Sequence, residues 1–350
     1  MLHKLDPYIH QIISKYLYQK DKHNLLFLNK YLYSIWIELF CNNFSFLPEE
    51  LTKLDKKYNK FVKKIYYKDE KYLFNVYPNI ETVIFVSGFS TRKKLQGMTI
   101  KYSERTVISS EKEKEEEPKI DHYKPLNNIK NIVDICSFDQ LYQLPIKNFE
   151  QISQIELIHF NFIFGGPLDN LLHFRNLKKI MFGSCFNRPI DKLANLPSME
   201  SLTFGINFNH DIKSLAYITN LKYLSFGDMF NKKIDSLSEA TNLKYLKFGR
   251  LFNQNVDCLE KLENLQIVNF GRSFNQSIDK LPDSVEHIVL GRTVNDGFYD
   301  SHRRLINIHI YNKPINRLPK NLKRLELQTI YPDDYRIIVR KLFNGKLIIH

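Results

Sequence analysis

The chain has 350 residues and a formal net charge of +13, with 26 phenylalanines, 20 tyrosines and 12 glycines. Its cysteines include no pair two to four residues apart, which excludes the usual zinc-binding spacings. No apolar run is long enough to span a membrane, and the first residues lack the apolar segment of a signal peptide. These absences and the sparse cysteine usage predict a cytoplasmic protein without a structural metal or a membrane partner.

Residues 5–40 carry the apolar periodicity of two helices. Asp6 and Pro7 begin the first helix, since a capping carboxylate followed by proline is a common helix start. The apolar positions at helical spacing are Ile9, Ile13, Tyr16 and Leu17 in the first helix and Leu25, Leu28, Leu32, Ile35 and Leu39 in the second. Such stripes predict that both helices pack against other helices.

This stretch resembles an F-box. The matching positions are Leu5, Ile9, Ile13, Tyr16, Leu17, Leu25 and Leu28, and Pro7 supplies the rigid helix start. Asp6 and Tyr8 depart from the pattern, which usually has a proline and an acid at these places. The resemblance implies that the matching residues bind a Skp-type adaptor of a cullin–RING ubiquitin ligase. An alternative interpretation is a helical cap that shields the first coil of a solenoid.

The central part of the sequence repeats one hexapeptide between Phe182 and Asn295. Its copies read FGSCFN, FGINFN, FGDMFN, FGRLFN, FGRSFN and LGRTVN. The first four intervals are each 22 residues and the last is 20. A period of this length predicts stacked structural units that share one core.

Each unit predicts one short strand. Leu224 and Phe226 alternate with Tyr223 and Ser225, which is the period of a half-buried strand. Gly227 follows, where the chain is expected to turn closely against its neighbours. The recurring asparagines are interpreted as buried amides that satisfy the backbone of the coil, and not as a binding ladder. These asparagines are Asn187, Asn209, Asn231, Asn253, Asn275 and Asn295.

The pattern LxxLxFGxxFNxPI resembles the FNIP repeat, a 22-residue relative of the leucine-rich repeat, over residues 133–318. Val133, Cys136 and Phe138 fit the same frame, so that Cys136 and Cys185 are expected to be small buried side chains. FNIP repeats occur together with an N-terminal F-box in amoebae and in giant viruses of amoebae. The resemblance therefore implies a cytoplasmic location, which is the host cytoplasm if the chain is viral.

We predict an α/β fold, a leucine-rich-repeat-like solenoid of 22-residue FNIP repeats with a small N-terminal helical F-box-like domain. The predicted domains are an F-box-like domain at 1–45, a linker, degenerate first repeat and charged loop at 46–132, the repeat solenoid at 133–318, and a last turn and C-terminal cap at 319–350. The first repeat would begin near Ile80, and the charged loop would cover about 92–128, including EKEKEEE at 111–117. The cap would include a helix at 333–343.

Function is expected on a surface, because no catalytic constellation and no phosphate-binding loop is found, and we predict neither an enzyme nor a cofactor. On a leucine-rich-repeat-like horseshoe the outward strand positions form the concave face, where exposed tyrosines are common binding anchors. The candidate partner-binding residues are Tyr223, Tyr245, Lys247, Asn269, His287, Arg250, Arg272 and Arg292. The three arginines follow successive strands, and they indicate either side chains that spread into solvent or a site for an acidic or phosphorylated partner.

The two resemblances together predict a substrate-recruiting adaptor of an SCF-type ubiquitin ligase. In it the F-box would bind a Skp-type adaptor, and through it a cullin, while the repeats bind a protein substrate. The alternative is a repeat-only interaction scaffold whose N-terminal helices are a structural cap. The +13 charge also permits a nucleic-acid partner, but no arginine–aromatic stripe follows the strands, which disfavours that interpretation.

Overall fold

The computed structural model of the chain describes residues 45–46, 62–67, 79–85, 128–144, 149–291, 311–328 and 346–349. The predicted F-box helices, most of the charged loop and the predicted C-terminal helix lie outside these residues. The chain divides into two compact units. One is formed by Met1–Ile132 with Tyr142–Lys147, and the other by Val133–Leu141 with Asn148–His350.

The first unit contains strands β1 (Ser45–Phe46), β2 (Lys64–Tyr67) and β3 (Thr82–Phe85) and the first residues of β4 (Asn131–Ile135). β1 pairs in parallel with β2, and β2 pairs in parallel with β3. Val62 and Ile65 are fully buried, and the buried Ile80 and Val83 repeat their three-residue spacing at the start of β3. Strand pairing therefore starts before Ile80, inside the stretch that the sequence suggested as a linker.

The second unit is a ladder of parallel strands in chain order that begins with the end of β4. Its further strands are β5 (Leu157–Phe160), β6 (Lys179–Met181), β7 (Ser201–Thr203), β8 (Tyr223–Ser225), β9 (Tyr245–Lys247), β10 (Ile267–Phe270), β11 (His287–Gly291), β12 (Arg324–Gln328) and β13 (Lys346–Ile349). The described helices from Val133 onwards are short 3-10 helices at Phe138–Gln143, Phe149–Ile152, Asp169–His173, Asp191–Asn195, Lys213–Tyr217, Asp235–Glu239 and Asp257–Lys261. This alternation of strand and 3-10 helix is a leucine-rich-repeat-like solenoid, as the sequence predicted.

Each repeat buries one face of its strand against the chain that returns behind it. In the repeat of β8, Leu224 and Phe226 are buried on the strand, and Phe230, Ile234 and Leu237 are buried behind it. The return segment is a 3-10 helix because its bonds span three residues, such as the 2.8 Å bond from the nitrogen of Leu237 to the oxygen of Ile234. The sequence-based assignment of strand and core positions in this repeat is confirmed.

Two columns of stacked phenylalanine rings run through the core of the second unit. The first column is Phe160, Phe182, Phe204, Phe226, Phe248 and Phe270, with successive centroids 5.3 to 5.7 Å apart. The second column is Phe164, Phe186, Phe208, Phe230, Phe252 and Phe274, with successive centroids 5.9 to 6.1 Å apart. Tyr311 continues the second column at 6.3 Å from Phe274. Apolar burial and ring contacts thus propagate from each repeat to the next.

The glycine that follows each of the strands β6–β10 is required by its close approach to the preceding repeat. A Cβ atom at Gly227 would lie 1.9 Å from the carbonyl oxygen of Gly205, and one at Gly249 would lie 2.1 Å from that of Gly227. No side chain fits at such distances, because the contact is with backbone that cannot move aside. The sequence-based interpretation of Gly227 as a point of close approach is confirmed.

The recurring asparagines form a ladder that joins successive repeats. The side-chain oxygen of Asn231 accepts a hydrogen bond of 3.0 Å from the backbone nitrogen of Asn253, and Asn253 does the same for Asn275 at 2.9 Å. These bonds confirm the structural role that the sequence indicated. The side chains are not buried, however: Asn231 is exposed and Asn253 is half-buried. The ladder therefore runs along a corner of the coil that water reaches.

Two further ladders were not anticipated from the sequence. The amides of Asn220, Asn242 and Asn264 donate to the carbonyls of Pro197, Thr219 and Thr241 at 2.8 to 3.0 Å. The side chains of Ser214, Ser236 and Cys258 donate to the carbonyls of Ile190, Ile212 and Ile234 at 3.1 to 3.3 Å. Each ladder bonds to backbone carbonyls of the preceding repeat. The carbonyls of the serine and cysteine ladder also accept a bond within their own repeat, as Ile234 does from Leu237.

Two sequence expectations need correction in the second unit. Cys185 is exposed and Cys136 only partly buried, so neither is the small core residue that the repeat frame suggested. At β4 the buried side chains are Ile132 and Ile135, whereas Val133 is half-buried. Between them Asp134 has a φ of 67°, in the left-handed region, which disrupts the regular alternation of the strand.

Candidate functional site

The outward side chains of β6–β11 form two continuous columns, which we call the strand face. The first column pairs Lys179, Ser201, Tyr223, Tyr245, Ile267 and His287 in register. The second pairs Met181, Thr203, Ser225, Lys247, Asn269 and Val289. The predicted columns are therefore present, although Ser225 and Val289 are each only 8% exposed.

Tyr223 and Tyr245 form a stacked pair at the centre of the strand face. Their ring centroids lie 4.4 Å apart with the planes only 5° from parallel. The amide of Asn269 donates to the hydroxyl of Tyr245 at 3.2 Å. Burial raises the pKa of Tyr245 above its ordinary value, and the neighbouring Tyr223 adds to this shift. The phenol of Tyr245 is thus neutral at physiological pH, and the stacked pair presents a rigid, amphipathic surface.

The charges of the strand face are unevenly distributed. Lys179 and Lys247 are the charged outward residues of β6–β10, and the described positions of these strands include no outward carboxylate. At the next strands, His287 contacts Glu326 at 2.9 Å, and Arg324 contacts the same carboxylate at 2.7 Å. Glu326 is only 7% exposed, so the predicted partner residue His287 belongs to a cluster within the sheet. The sequence did not indicate this cluster, because β12 lies 37 residues beyond β11 in the register.

A turn column follows the strand face, one residue beyond each glycine. It contains Ser184, Ile206, Asp228, Arg250 and Arg272, while the predicted Arg292 lies outside the described residues. The side chain of Asp228 accepts a 3.2 Å hydrogen bond from the backbone nitrogen of Arg250. Arg250 and Arg272 are half-buried rather than spread fully into solvent.

A groove of about 240 Å³ lies between the strand face and the turn column. The walls of the groove are side chains of the strand face and of the turn column. Among these are Ser225, Lys247, Ile206, Asp228 and Arg250. The glycines that lie along the groove are Gly205, Gly227, Gly249 and Gly271. The volume is smaller than that of usual cofactor sites, so the groove suits one or two side chains of a partner better than a whole cofactor.

Exposed apolar side chains border this region, and they were not among the candidates selected from the sequence. Ile206 is 49% exposed, Met181 is 41% exposed and Met229 is 40% exposed. They were left out because the binding candidates were chosen among aromatic, polar and charged side chains, although the repeat frame places Met181 and Ile206 at outward positions. Their position in the repeat could have identified them, because they lie at positions that vary from repeat to repeat, between the phenylalanines that recur.

The predicted F-box site residues have no place in the described part of the chain. Leu5, Pro7, Ile9, Ile13, Tyr16, Leu17, Leu25 and Leu28 all lie outside the described residues. Within the described ranges, no group of histidine, cysteine, aspartate and glutamate side chains could hold a metal ion. The helices in those ranges also include none with the length and hydrophobicity to cross a membrane.

Comparisons with known proteins return structures of leucine-rich-repeat type. An internalin from Listeria monocytogenes is 14% identical, with a TM-score of 0.49, over 84% of this chain and 77% of its own. The circular leucine-rich-repeat protein CroV588 is 24% identical, with a TM-score of 0.46, over 75% of this chain and 36% of its own. A leucine-rich-repeat protein from Leptospira interrogans is 14% identical, with a TM-score of 0.41, over 87% of both chains. No family model matches the sequence, and no curated protein matches it.

Proposed function

We propose that the chain is a substrate-recruiting adaptor whose strand face binds a protein partner. The observation that carries the binding part is the strand face itself, an open parallel ladder with the stacked pair Tyr223 and Tyr245 at its centre. Stacked tyrosines lose little side-chain entropy on binding because they are already ordered, and tyrosine is enriched among residues that dominate interface energies.

The repeat scaffold supports this function by holding the strand face rigid. The phenylalanine columns and the asparagine ladder fix each strand against the next, and the outward residues vary from repeat to repeat. A surface with a constant core and variable outward positions can be selected for one partner without a change in fold.

The adaptor part of the proposal rests on the F-box resemblance of residues 5–40. In this function the N-terminal helices bind a Skp-type adaptor, and cullin and RING subunits supply the ubiquitin-transfer chemistry. The chain then contributes binding and positioning, and no catalytic group of its own.

A binding assay between the purified full-length chain and a purified Skp-type adaptor tests the adaptor part. We expect a stable complex that is lost after combined Ile13→Asp and Leu17→Asp substitution, because a carboxylate on the apolar stripe would oppose docking. Circular dichroism must show that the variant keeps the repeat fold. Failure of the intact chain to bind, or equal binding by the folded variant, would contradict the adaptor function.

A second experiment tests the strand face. Proteins that co-purify with the chain from an amoebal lysate should be lost from Tyr223→Ala but retained by Tyr217→Ala. Tyr217 is a matched control because it is 74% exposed and lies on the 3-10 helix Lys213–Tyr217, away from the strands. Equal recovery with both variants would place the binding surface elsewhere.

The alternative function is a repeat-only interaction scaffold with the N-terminal helices as a cap. It shares the strand face and differs only in the role of residues 1–45. Deletion of these residues would then lower the melting temperature of the repeats, whereas an adaptor-binding domain could be removed with little effect on it.

A further inference from the structure

The first column of the strand face contains a gap beside the tyrosine pair. Ser201 on β7 lies directly beside Tyr223 in the register, and Lys179 on β6 lies beside Ser201. Successive strands are about 4.8 Å apart, so each position in the column has room for one ring in a stack. Tyr245 and Tyr223 fill two such positions at a centroid separation of 4.4 Å. Ser201 leaves the third position without a ring.

We propose that this gap is a slot for one aromatic side chain of an acidic peptide segment in the partner protein. The proposal deepens the function proposed above, since it rests on the strand face as the partner-binding surface. The incoming ring would stack on the face of Tyr223 that points toward β7 and so continue the existing pair. Tyr223 is 36% exposed, which leaves part of its ring accessible for this contact.

The surroundings of the slot favour an aromatic occupant over an aliphatic one. Its floor is the half-buried Ser201, with Thr203 beside it in the second column. Lys179 lies on the side opposite Tyr223, and its ammonium and aliphatic stem can both contact a ring face. The exposed Met181 lies beside Thr203 in the register, and thioether groups pack well against ring edges. An aromatic ring would therefore have a ring on one side, a cation on the other and a thioether nearby.

Charge complementarity indicates that the flanking residues of the partner are acidic. Lys179 and Lys247 are the charged outward residues of β6–β10, and Arg250 and Arg272 follow in the turn column. The turn column also contains Asp228, whose carboxylate accepts from the backbone of Arg250. Asp228 would repel a phosphate dianion more strongly than a single carboxylate, so we assign aspartate or glutamate, and not a phosphorylated residue, to the partner.

Peptide display on the immobilised full-length chain tests this assignment directly, since a random library does not require the partner to be identified. We expect the selected peptides to share one aromatic residue flanked by aspartate or glutamate. A synthetic peptide of the selected consensus should lose affinity when its aromatic residue is changed to alanine, by about tenfold or more if the ring is a central anchor. Its affinity should also fall as salt rises, since the flanking contacts are ionic.

The decisive variant is Ser201→Phe, which fills the slot with a ring of the chain itself. This variant should bind the consensus peptide at least about tenfold more weakly, while its melting temperature is unchanged or higher because the added ring stacks on Tyr223. Ser201→Ala is the matched control, which leaves the slot open and should bind as the unmodified chain does. Equal peptide affinity for Ser201→Phe and Ser201→Ala would overturn the slot.

Other outcomes separate the slot from the proposed function. Selected peptides without an aromatic residue, or with basic flanks, would overturn the slot. If such peptides still lose binding in Tyr223→Ala, the strand face remains the partner surface. If no peptide is selected, or if peptides bind Tyr223→Ala as well as the unmodified chain, both the slot and the binding role of the strand face are contradicted. The Skp-type adaptor assay is independent of all these results.

Discussion

Gly227 lies so close to Gly205 of the preceding repeat that a Cβ atom at position 227 would be 1.9 Å from the carbonyl oxygen of Gly205. The same contact recurs along the second unit, between Gly249 and Gly227 and between Gly271 and Gly249. The glycines thus set how closely successive repeats approach at the carboxyl ends of the strands, beside the candidate binding groove.

Gly227→Ala should strongly destabilise the second unit. The added methyl group would meet backbone rather than a movable side chain, and overpacking of this kind costs about 1–3 kcal/mol or more. Urea unfolding followed by circular dichroism would measure the loss. Gly165→Ala is the control, because a Cβ atom there has its nearest contact at 4.0 Å. If Gly227→Ala and Gly165→Ala unfold at the same urea concentration, the close approach of the repeats does not require glycine at position 227.

Asn231→Ala should weaken the asparagine ladder at one step. The side-chain oxygen of Asn231 accepts from the backbone of Asn253 at 3.0 Å and from the side chain of Gln254 at 2.9 Å. Because the site is exposed, water can replace part of the interaction, and we expect a loss of about 1 kcal/mol in unfolding free energy. Lys232→Ala, at the next exposed residue, should have little effect. If Asn231→Ala lowers the unfolding free energy no more than Lys232→Ala does, the asparagine ladder is not a source of stability.

Phe230→Ala should lower the free energy of unfolding more than Asn231→Ala does. Phe230 is fully buried and stacks on Phe208 and Phe252, each at 6.0 Å. Removal of a buried phenylalanine side chain typically costs about 3–5 kcal/mol. Phe230→Leu retains apolar volume and should recover much of the loss. The midpoints of denaturant unfolding would rank the variants, and an equal loss for alanine and leucine would indicate that ring stacking, and not volume, dominates.

Cys185 and Cys258 should differ in reactivity toward iodoacetamide in the folded protein. Burial, with a smaller contribution from Asp235, raises the pKa of Cys258 to about 12, so only about one molecule in ten thousand has the reactive thiolate at pH 8. Cys185 is exposed, and we expect it to be alkylated at least tenfold faster. Mass spectrometry of the labelled peptides over time would measure both rates. The difference between the two alkylation rates should disappear in guanidinium chloride, where the chain is unfolded. Comparable alkylation rates of Cys185 and Cys258 in the folded protein would contradict the burial of Cys258.

Asp283 should make the stability of the region around β11 and β12 depend on pH in the acidic range. Hydrogen bonding to Lys320 lowers the pKa of this carboxyl, and Arg317 lowers it further. A group with a lowered folded pKa stabilises the fold above its unfolded pKa, and this contribution is lost as the pH falls through the folded pKa. The melting temperature of Asp283→Asn should therefore fall below that of the unmodified chain at neutral pH and approach it below about pH 4. If the difference in melting temperature between Asp283→Asn and the unmodified chain stays the same across this pH range, the ionic contribution is contradicted. Glu263→Gln, at an exposed position, is the control.

The sequence predicted the repeat because its signal is purely local and periodic. The spacing of Leu224, Phe226 and Phe230 determines which side chains face inward, and stacking of identical units leaves one arrangement that buries them all. Strand β2 was not predicted, because Val62 and Ile65 have the three-residue spacing of the repeat without its phenylalanine and asparagine motif. Cys185 was assigned to the core from its place in the motif, although the side chains buried in that turn are those of Phe182 and Phe186.

The candidate site was predictable in part. Because strand residues alternate between faces, the sequence already separated outward Tyr223 and Tyr245 from inward Leu224 and Leu246. It did not indicate that the two rings stack, or that Glu326, 39 residues further along the chain, reaches His287.

The sequence by itself determined the period, the inward and outward assignment of the strands and the structural role of the asparagines, since these follow from spacing within one repeat. Only the tertiary structure decided how adjacent repeats meet. The approach of Gly227 to Gly205, the stack of Tyr223 on Tyr245 and the open position at Ser201 depend on the register between strands. Register is a relation between segments 22 residues apart, set by the packing of the whole core, and a single repeat does not contain it.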